Sequence, residues 1–321
     1  GQHSVNNWVR GACHMGMVPA NGLQYAPPHP CQCYIDEKLN GFNALAGGAS
    51  SDARLPTGPR LERGPAAETP LASRPAPGPS DWPTYRGDTT RSGAAQTRLP
   101  AGMELFWQSN VGGRPAAPTS VGDTVYVPAV DRHQLVALRT EDGVERWRFT
   151  AGARIDSPPT VDGDAVLFGS ADGWVYRVRA EDGALIWRLR GNPGTREIAA
   201  FGQLESAWPV HGSVLLNDGS IYFAAGRSSQ LDGGLRIVAA DALTGQIRHE
   251  RELSGPSYTV DNIEQNYHLP MGALPDILRV ENAKIFMRSL GFDRNLQQEP
   301  GAPALKVQDG FLDDAYFKRM P

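Results

Sequence analysis

Short apolar runs alternate with polar or glycine-containing breaks along the middle of the chain. Thr124-Val125-Tyr126-Val127 is followed by Leu135-Val136-Ala137-Leu138 and then by residues 144–149, which include Trp147. Runs this short, rich in β-branched and aromatic residues and bounded by turn formers, predict strands rather than helices. The order then returns: Ala165-Val166-Leu167-Phe168, Trp174-Val175-Tyr176-Arg177-Val178 and Leu185-Ile186-Trp187-Arg188-Leu189. Trp107, Trp147 and Trp187 stand 40 residues apart, and Pro118 and Pro158 share that spacing. Glu141-Asp142-Gly143 and Glu181-Asp182-Gly183 each end four residues before a tryptophan. A repeat of about 40 residues with four short antiparallel strands has the size of a propeller blade.

Weaker copies extend the series. Ser220-Ile221-Tyr222-Phe223-Ala224, Leu235-Arg236-Ile237-Val238-Ala239 and the turn Asp241-Ala242-Leu243-Thr244-Gly245 form a third, in which His249 takes the tryptophan position. Asn282-Ala283-Lys284-Ile285-Phe286-Met287 belongs to a fourth, and another is expected near Phe311. Near the start, Asn21-Gly22-Leu23-Gln24-Tyr25-Ala26-Pro27 matches the pattern of Gly122-Asp123-Thr124-Val125-Tyr126-Val127-Pro128, and Gly41-Phe42-Asn43-Ala44-Leu45 echoes the strand at 136–138. The expected fold is therefore all-β, a propeller of four-stranded blades. Roughly five to six blade equivalents are visible, which points to a partial ring completed by another segment, another chain or a second copy. The expected organisation is a blade-like unit at 1–46 with a cysteine-rich insertion, a linker or mobile loop at 47–80, and blades over 81–321. The linker reading rests on seven prolines and little aliphatic periodicity in 47–80, a composition that does not repay the entropy of ordering.

Composition narrows the picture. The 321 residues carry 36 glycines and 26 prolines, well above ordinary usage, which disfavours a helical bundle and suits many turns. A net charge of -4 without a basic run argues against nucleic acid and polybasic membrane binding. No apolar run is long enough for a transmembrane helix. The start at Gly1-Gln2-His3 and the stop at Met320-Pro321 fit a processed chain or a portion of a longer one.

The repeat with its Ala-Leu-x-x-x-Asp-Gly-x-x-x-Trp core resembles the pyrroloquinoline-quinone family of propellers, most clearly over residues 81 to about 250. Asp81-Trp82-Pro83-Thr84-Tyr85-Arg86-Gly87-Asp88, followed by Arg91-Ser92-Gly93, is similar to the segment that opens many of them. The resemblance implies a quinoprotein-type propeller outside the cytoplasm, in the periplasm of a bacterium. It also implies two classes of activity, quinone-dependent dehydrogenases and noncatalytic outer-membrane assembly scaffolds. The dehydrogenases hold quinone and a calcium or lanthanide ion on the axis beneath a disulfide of adjacent cysteines. Cys31 and Cys33 are separated by Gln32, so that feature does not transfer. The principal expectation is a binding or assembly scaffold partnered by another propeller segment or protein chain. The alternatives are a redox or electron-transfer protein holding a transition metal, haem, calcium or pyrroloquinoline quinone, and a carbohydrate-active protein using the propeller mouth.

Two groups of side chains carry candidate chemistry. Cys13, His14, His29, Cys31 and Cys33 include all three cysteines of the chain. They offer soft and borderline donors for a metal or haem, although their spacing is not that of paired zinc ligands. A disulfide from Cys13 to Cys31 or Cys33 and plain reduced thiols are the other readings, and export favours the disulfide. The second group, a candidate pocket, comprises His211 with Asp261, Glu264 and His268, where carboxylates, amides and imidazoles gather between blades. Such a set suits a polar ligand or a divalent cation; a solvated loop at 258–271 and an ordinarily exposed His211, with Glu205 and Arg196 near in sequence, form the simpler expectation. Asp309, Asp313 and Asp314 show no partner that would define acid–base chemistry.

Overall fold

The computed structural model describes residues 11, 16–28, 42–46, 57–68, 77–98, 100–200, 202–229, 231–254, 273–288, 290–299 and 311. Strands β1 (Val18–Ala20), β2 (Leu23–Ala26) and β3 (Asn43–Ala46) form a three-stranded antiparallel sheet. Its first turn uses Asn21 and Gly22 at φ 53° and 75°, the left-handed pair that suits a two-residue hairpin. β4 (Leu61–Arg63) comes next in sequence.

Four four-stranded meanders follow. The first blade is β5 (Thr119–Val121), β6 (Thr124–Ala129), β7 (Gln134–Arg139) and β8 (Glu145–Thr150). The second is β9 (Thr160–Asp162), β10 (Ala165–Gly169), β11 (Trp174–Arg179) and β12 (Leu185–Arg190). A hairpin of β13 (Glu197–Ala200) and β14 (Gln203–Ser206) precedes the third, which is β15 (Leu215–Asn217), β16 (Ser220–Ala225), β17 (Leu235–Asp241) and β18 (Ile247–Leu253). β19 (Arg279–Glu281), β20 (Lys284–Met287), β21 (Leu290–Phe292) and β22 (Gln298–Glu299) form the fourth. In each blade sheet order is chain order, as the repeat predicts. The fold is a propeller of quinoprotein-type blades. Of the copy expected near the C-terminal end only Phe311 is described; it is buried against Ile277 and Tyr85.

Adjacent blades are joined by their repeated tryptophans. Trp147, on β8, donates from Nε1 to the Ala180 carbonyl in the turn of the second blade at 3.0 Å. Trp187, on β12, donates in the same way to Leu243 of the third blade at 3.0 Å. Trp107 donates to Thr140 of the first blade at 2.7 Å. Each indole also lies under a turn glycine: a Cβ on Gly183 would fall 2.6 Å from the Trp147 ring, and one on Gly143 2.5 Å from Trp107. Gly183 sits at φ +74°, where a side chain is strained as well as obstructed. Between these latches lie apolar layers, one built from Phe168, Tyr176 and Val178 with Leu135 and Tyr126, the next from Trp187, Leu189, Ile221 and Phe223. His249, at the tryptophan position of the third copy, is instead exposed on β18.

The first strands of the blades converge, with β5 touching β9 and β9 touching β15. Against them runs the 81–93 segment. Trp82 exchanges two backbone hydrogen bonds with Ser120 of β5, at 2.7 and 3.0 Å, and Val161 of β9 donates to the Pro83 carbonyl at 2.8 Å. On the far side Val280 of β19 donates to Thr89 at 2.8 Å. Arg91, fully buried, donates to the Leu278 carbonyl at 3.1 Å and to the Thr84 hydroxyl at 2.6 Å. Thr160 donates to the Val214 carbonyl at 2.6 Å, so in its 2.8 Å contact with Thr84 it accepts. The protons therefore run one way, Arg91 to Thr84 to Thr160 to Val214, and such chains reinforce one another. Burial lowers the Arg91 guanidinium to about 10, against the opposing pull of Asp88 and Tyr85; it remains charged at neutral pH.

The 47–80 stretch differs from a simple linker. β4, inside it, is hydrogen-bonded to the outer edge of β12 and makes the second blade five-stranded. Proline content hid this, because the strand needs only three residues and its ladder is supplied by a distant edge.

Gly163 and Gly183 separate conformation from contact. Gly163, at φ +55°, has nothing within 4 Å of a built Cβ. Gly163→Ala is expected to cost about 1 kcal/mol, whereas Gly183→Ala, which also presses on Trp147, is expected to cost roughly 1–3 kcal/mol more, read by urea unfolding. Equal costs would remove the ring contact as a source of stability.

Candidate functional site

Of the residues singled out in the sequence, His211 is described and is not an ordinary surface histidine. Its side chain is 3% exposed and its Nδ1 lies 2.9 Å from Asp156 Oδ2. A carboxylate only accepts, so Nδ1 carries the proton. Asp156 Oδ2 in turn lies 3.9 Å from Arg154 Nη2, and Arg154 Nη1 pairs with Glu205 Oε1; all of these side chains are as buried as His211. Burial of His211 follows from how three segments are zipped. The turn between β10 and β11 accepts from Val210 at Ser170 at 3.1 Å and from Ser206 at Ala171 at 2.9 Å, Ala171 donates to Arg154 in the loop after β8 at 2.9 Å, and the Ser213 hydroxyl after β14 donates to Pro158 at 2.5 Å.

The cluster brings one fixed cation together with two carboxylates and an imidazole. Two carboxylates facing one fixed cation in so dry a place favour a proton on Glu205. Burial pushes Glu205 above the usual carboxylate range, outweighing Arg154, which acts in the other direction, followed by His211. The arrangement ties the connection between the first and second blades to the connection between the second and third by charge. It offers no exposed acid or base, since every member is sealed from solvent. Arg154 and Asp156 were not singled out in the sequence; the available signal was a charged pair alternating with Ala153 and Ile155 just before Pro158-Pro159. Arg196, considered near His211, pairs instead with Asp232.

Cys13, His14, His29, Cys31 and Cys33, the candidate disulfide Cys13–Cys31, and Asp261, Glu264 and His268 all lie outside the described residues, as do Asp309, Asp313 and Asp314. Among the described residues no group of three His, Cys, Asp or Glu side chains has the geometry to hold a metal ion. A quinone with its calcium on the axis does not fit the described residues either. The 81–93 segment is bonded to β5, β9 and β19, and of the buried carboxylates Asp156 and Glu205 already enclose the Arg154 guanidinium while Asp276 accepts from the Ile277 and Phe311 amides. The Asp88 of the Arg-Gly-Asp tripeptide accepts from Thr90 at 2.7 Å and from the Ser92 amide at 3.1 Å, which spends it within its own turn.

Arg154→Met strands two buried carboxylates and is expected to cost about 3–5 kcal/mol at pH 7. The deficit shrinks toward pH 5 as the stranded Glu205 takes up a proton in the folded state, a trend readable from urea unfolding at both pH values. Glu205 has a folded pKa above its unfolded value, so its contribution is full below the unfolded value and is lost as pH rises through the folded one. Glu205→Gln is therefore expected to gain on the wild type as pH rises through that window. A pH-independent difference would contradict the raised pKa.

The family model of the outer membrane protein assembly factor BamB matches residues 97–272, just over half of the chain. The BamB of Yersinia pestis is 25% identical over 155 residues, covering 47% of this chain and 37% of that protein. The BamB of Vibrio cholerae is 31% identical over 146 residues, 43% of this chain and 34% of that protein. The chain thus matches little more than a third of the length of these relatives. Among solved structures, BamB from Moraxella catarrhalis is similar with a TM-score of 0.43 and 14% identity, covering 90% of this chain and 76% of that one. The quinohemoprotein alcohol dehydrogenase from Comamonas testosteroni is similar with a TM-score of 0.41 and 19% identity, covering 54% of this chain and 27% of that one. The match of repeat register over residues 97–272, with the blades and tryptophan latches found there, places this chain in the family of the outer membrane protein assembly factor BamB.

Proposed function

We propose that this chain is a binding scaffold of the outer-membrane assembly type, working outside the cytoplasm in the periplasm, and that its partners are polypeptides. Among the described residues no helix is long and apolar enough to cross a membrane. The buried charges are committed to one another, and the converging strand edges are covered by the chain's own 81–93 segment. Recognition is thereby left to strand edges and outer faces.

One observation carries the partner. Residues 104–107, Glu-Leu-Phe-Trp, stand in repeat register with 184–187, Ala-Leu-Ile-Trp. Trp107 makes the same indole contact as Trp187, so the segment holds the place of an outer blade strand. Yet Phe106 is 79% exposed and Leu105 81%, where Ile186 is 5% exposed. Met103 is exposed beside them. Contiguous apolar exposure of this kind marks an interaction surface, and its register fits three further strands of a blade. The partner at this face is another propeller segment.

The purified chain is expected to bind a hydrophobic dye such as bis-ANS, and Leu105→Glu with Phe106→Glu is expected to remove most of that signal without lowering the unfolding midpoint. A polypeptide that supplies further blades should suppress it equally. Titration with pyrroloquinoline quinone and calcium is expected to give no saturable change in absorption. Saturable binding with quinone-dependent oxidation of an alcohol or sugar would overturn the scaffold reading in favour of a dehydrogenase.

A further inference from the structure

The second blade already holds a peptide. Residues 57–66 run along the outer edge of β12, with β4 at their centre pairing Arg63 with Trp187, Glu62 with Arg188 and Leu61 with Leu189. Main-chain bonds continue beyond the strand at both ends: Gly58 donates to Pro193 at 3.2 Å and Arg190 to Arg60 at 2.6 Å, while Gly64 donates to Ile186 at 2.8 Å and Ala66 to Leu185 at 2.9 Å. An edge strand that gains a partner in this way satisfies a whole row of backbone groups.

The side chains read the peptide as well. Arg60 donates to the carbonyls of Arg190 at 3.2 Å and Gly191 at 2.9 Å. Its third nitrogen reaches Glu250 on β18 of the next blade at 2.5 Å. Leu61 packs into the layer of Trp187 and Ile247, seated over Gly245, where a Cβ would come 2.7 Å from it. Glu62 accepts from Arg188 Nε at 2.8 Å, and that guanidinium stands 4.3 Å above the Trp174 ring. Gly64 passes so close to the Leu185 carbonyl that a side chain there has no room. The groove therefore has a head site for Arg, an apolar seat, an acidic-residue site and a glycine gate, formed jointly by the second and third blades.

We propose that this groove is a β-augmentation site for an extended partner polypeptide of the pattern Arg-apolar-Glu-x-Gly, and that the 57–66 segment is its tethered resident. The proposal rests on the scaffold reading and names the class of partner such a scaffold grips. Two features argue for a resident rather than an integral strand. The second blade already has the four strands of its neighbours without it. The segment is also set within the 47–80 stretch whose proline and glycine content separates it in sequence from the blades. A tether raises the local concentration of the resident to the millimolar range, so an outside strand competes only when it fits as well or is delivered at high local concentration.

The test uses the full chain and a fluorescein-labelled synthetic peptide of residues 57–68, read by fluorescence anisotropy. Leu61→Asp weakens the resident and leaves the groove intact, and it is expected to bind the peptide at least about tenfold more tightly than the wild type. A peptide in which Glu62 is replaced by Arg should fail on that variant and recover when Arg188→Glu is added to it. Should Leu61→Asp not fold, Arg60→Ala serves in its place, because it removes only the head contacts. Equal binding by wild type and folded variant, or no loss with the charge-reversed peptide, would overturn the site. Wild-type dimerisation abolished by Leu61→Asp would reassign the groove to a second copy and overturn the partner. Neither result depends on the quinone titration that tests the scaffold reading itself.

Discussion

An indole lying under the turn of the next blade is the contact on which the rest of this molecule depends. The indole needs a carbonyl for its N–H and a flat, uncrowded surface for its ring. A turn with glycine in the left-handed conformation provides both, as at Ala180 and Gly183 for Trp147. Because the acceptor belongs to the following repeat, each blade is incomplete without its neighbour. That requirement sets the 40-residue period, keeps blades that are adjacent in sequence adjacent in space, and aligns apolar faces that no single meander could bury. It also accounts for the segment at Trp107, whose indole makes the latch toward the first blade although residues 103–110 form no strand.

Once the blades are so aligned, their inner edges and one outer edge become backbone surfaces that need partners. The chain meets these needs with its own opening segments, in two different ways. The 81–93 segment reaches three blades at once, and its Arg91 sits at the head of a hydrogen-bond relay running through Thr84 and Thr160. Among the described residues the 57–66 segment is held by the second and third blades, through a backbone ladder, one apolar seat and two ion pairs. The first has the character of core; the second has the character of a bound ligand. Charge follows the same division, since Arg154, Asp156, Glu205 and His211 pair with one another inside while Glu62, Arg188 and Glu250 remain partly open.

Much of the fold was readable from the tryptophans, the Asp-Gly turns and the apolar runs, because these are local patterns with a period. The strands at 124–129, 174–179 and 235–241 fall where those runs predicted them. The site was far less legible. Arg154, Asp156 and His211 are brought together by loops from different repeats, and nothing local distinguishes a buried loop histidine from a solvated one. The strand at 61–63 was concealed by prolines that suit a linker, since its order comes from the β12 edge and not from its own propensity. Composition near cysteines drew attention to residues 13–33, whose chemistry needs distances that a sequence does not contain.

The division between integral core and resident strand is open to one direct measurement, native-state hydrogen exchange on the Leu61→Asp variant. The Arg190 amide, which donates to Arg60 at 2.6 Å, and the amides of Val161 and Val280, held by the 81–93 segment, report the two regions separately. A resident strand predicts that Arg190 exchanges much faster in the variant while Val161 and Val280 keep wild-type protection. Acceleration of all three together would make residues 57–66 part of the cooperative core and contradict a groove built to exchange its occupant.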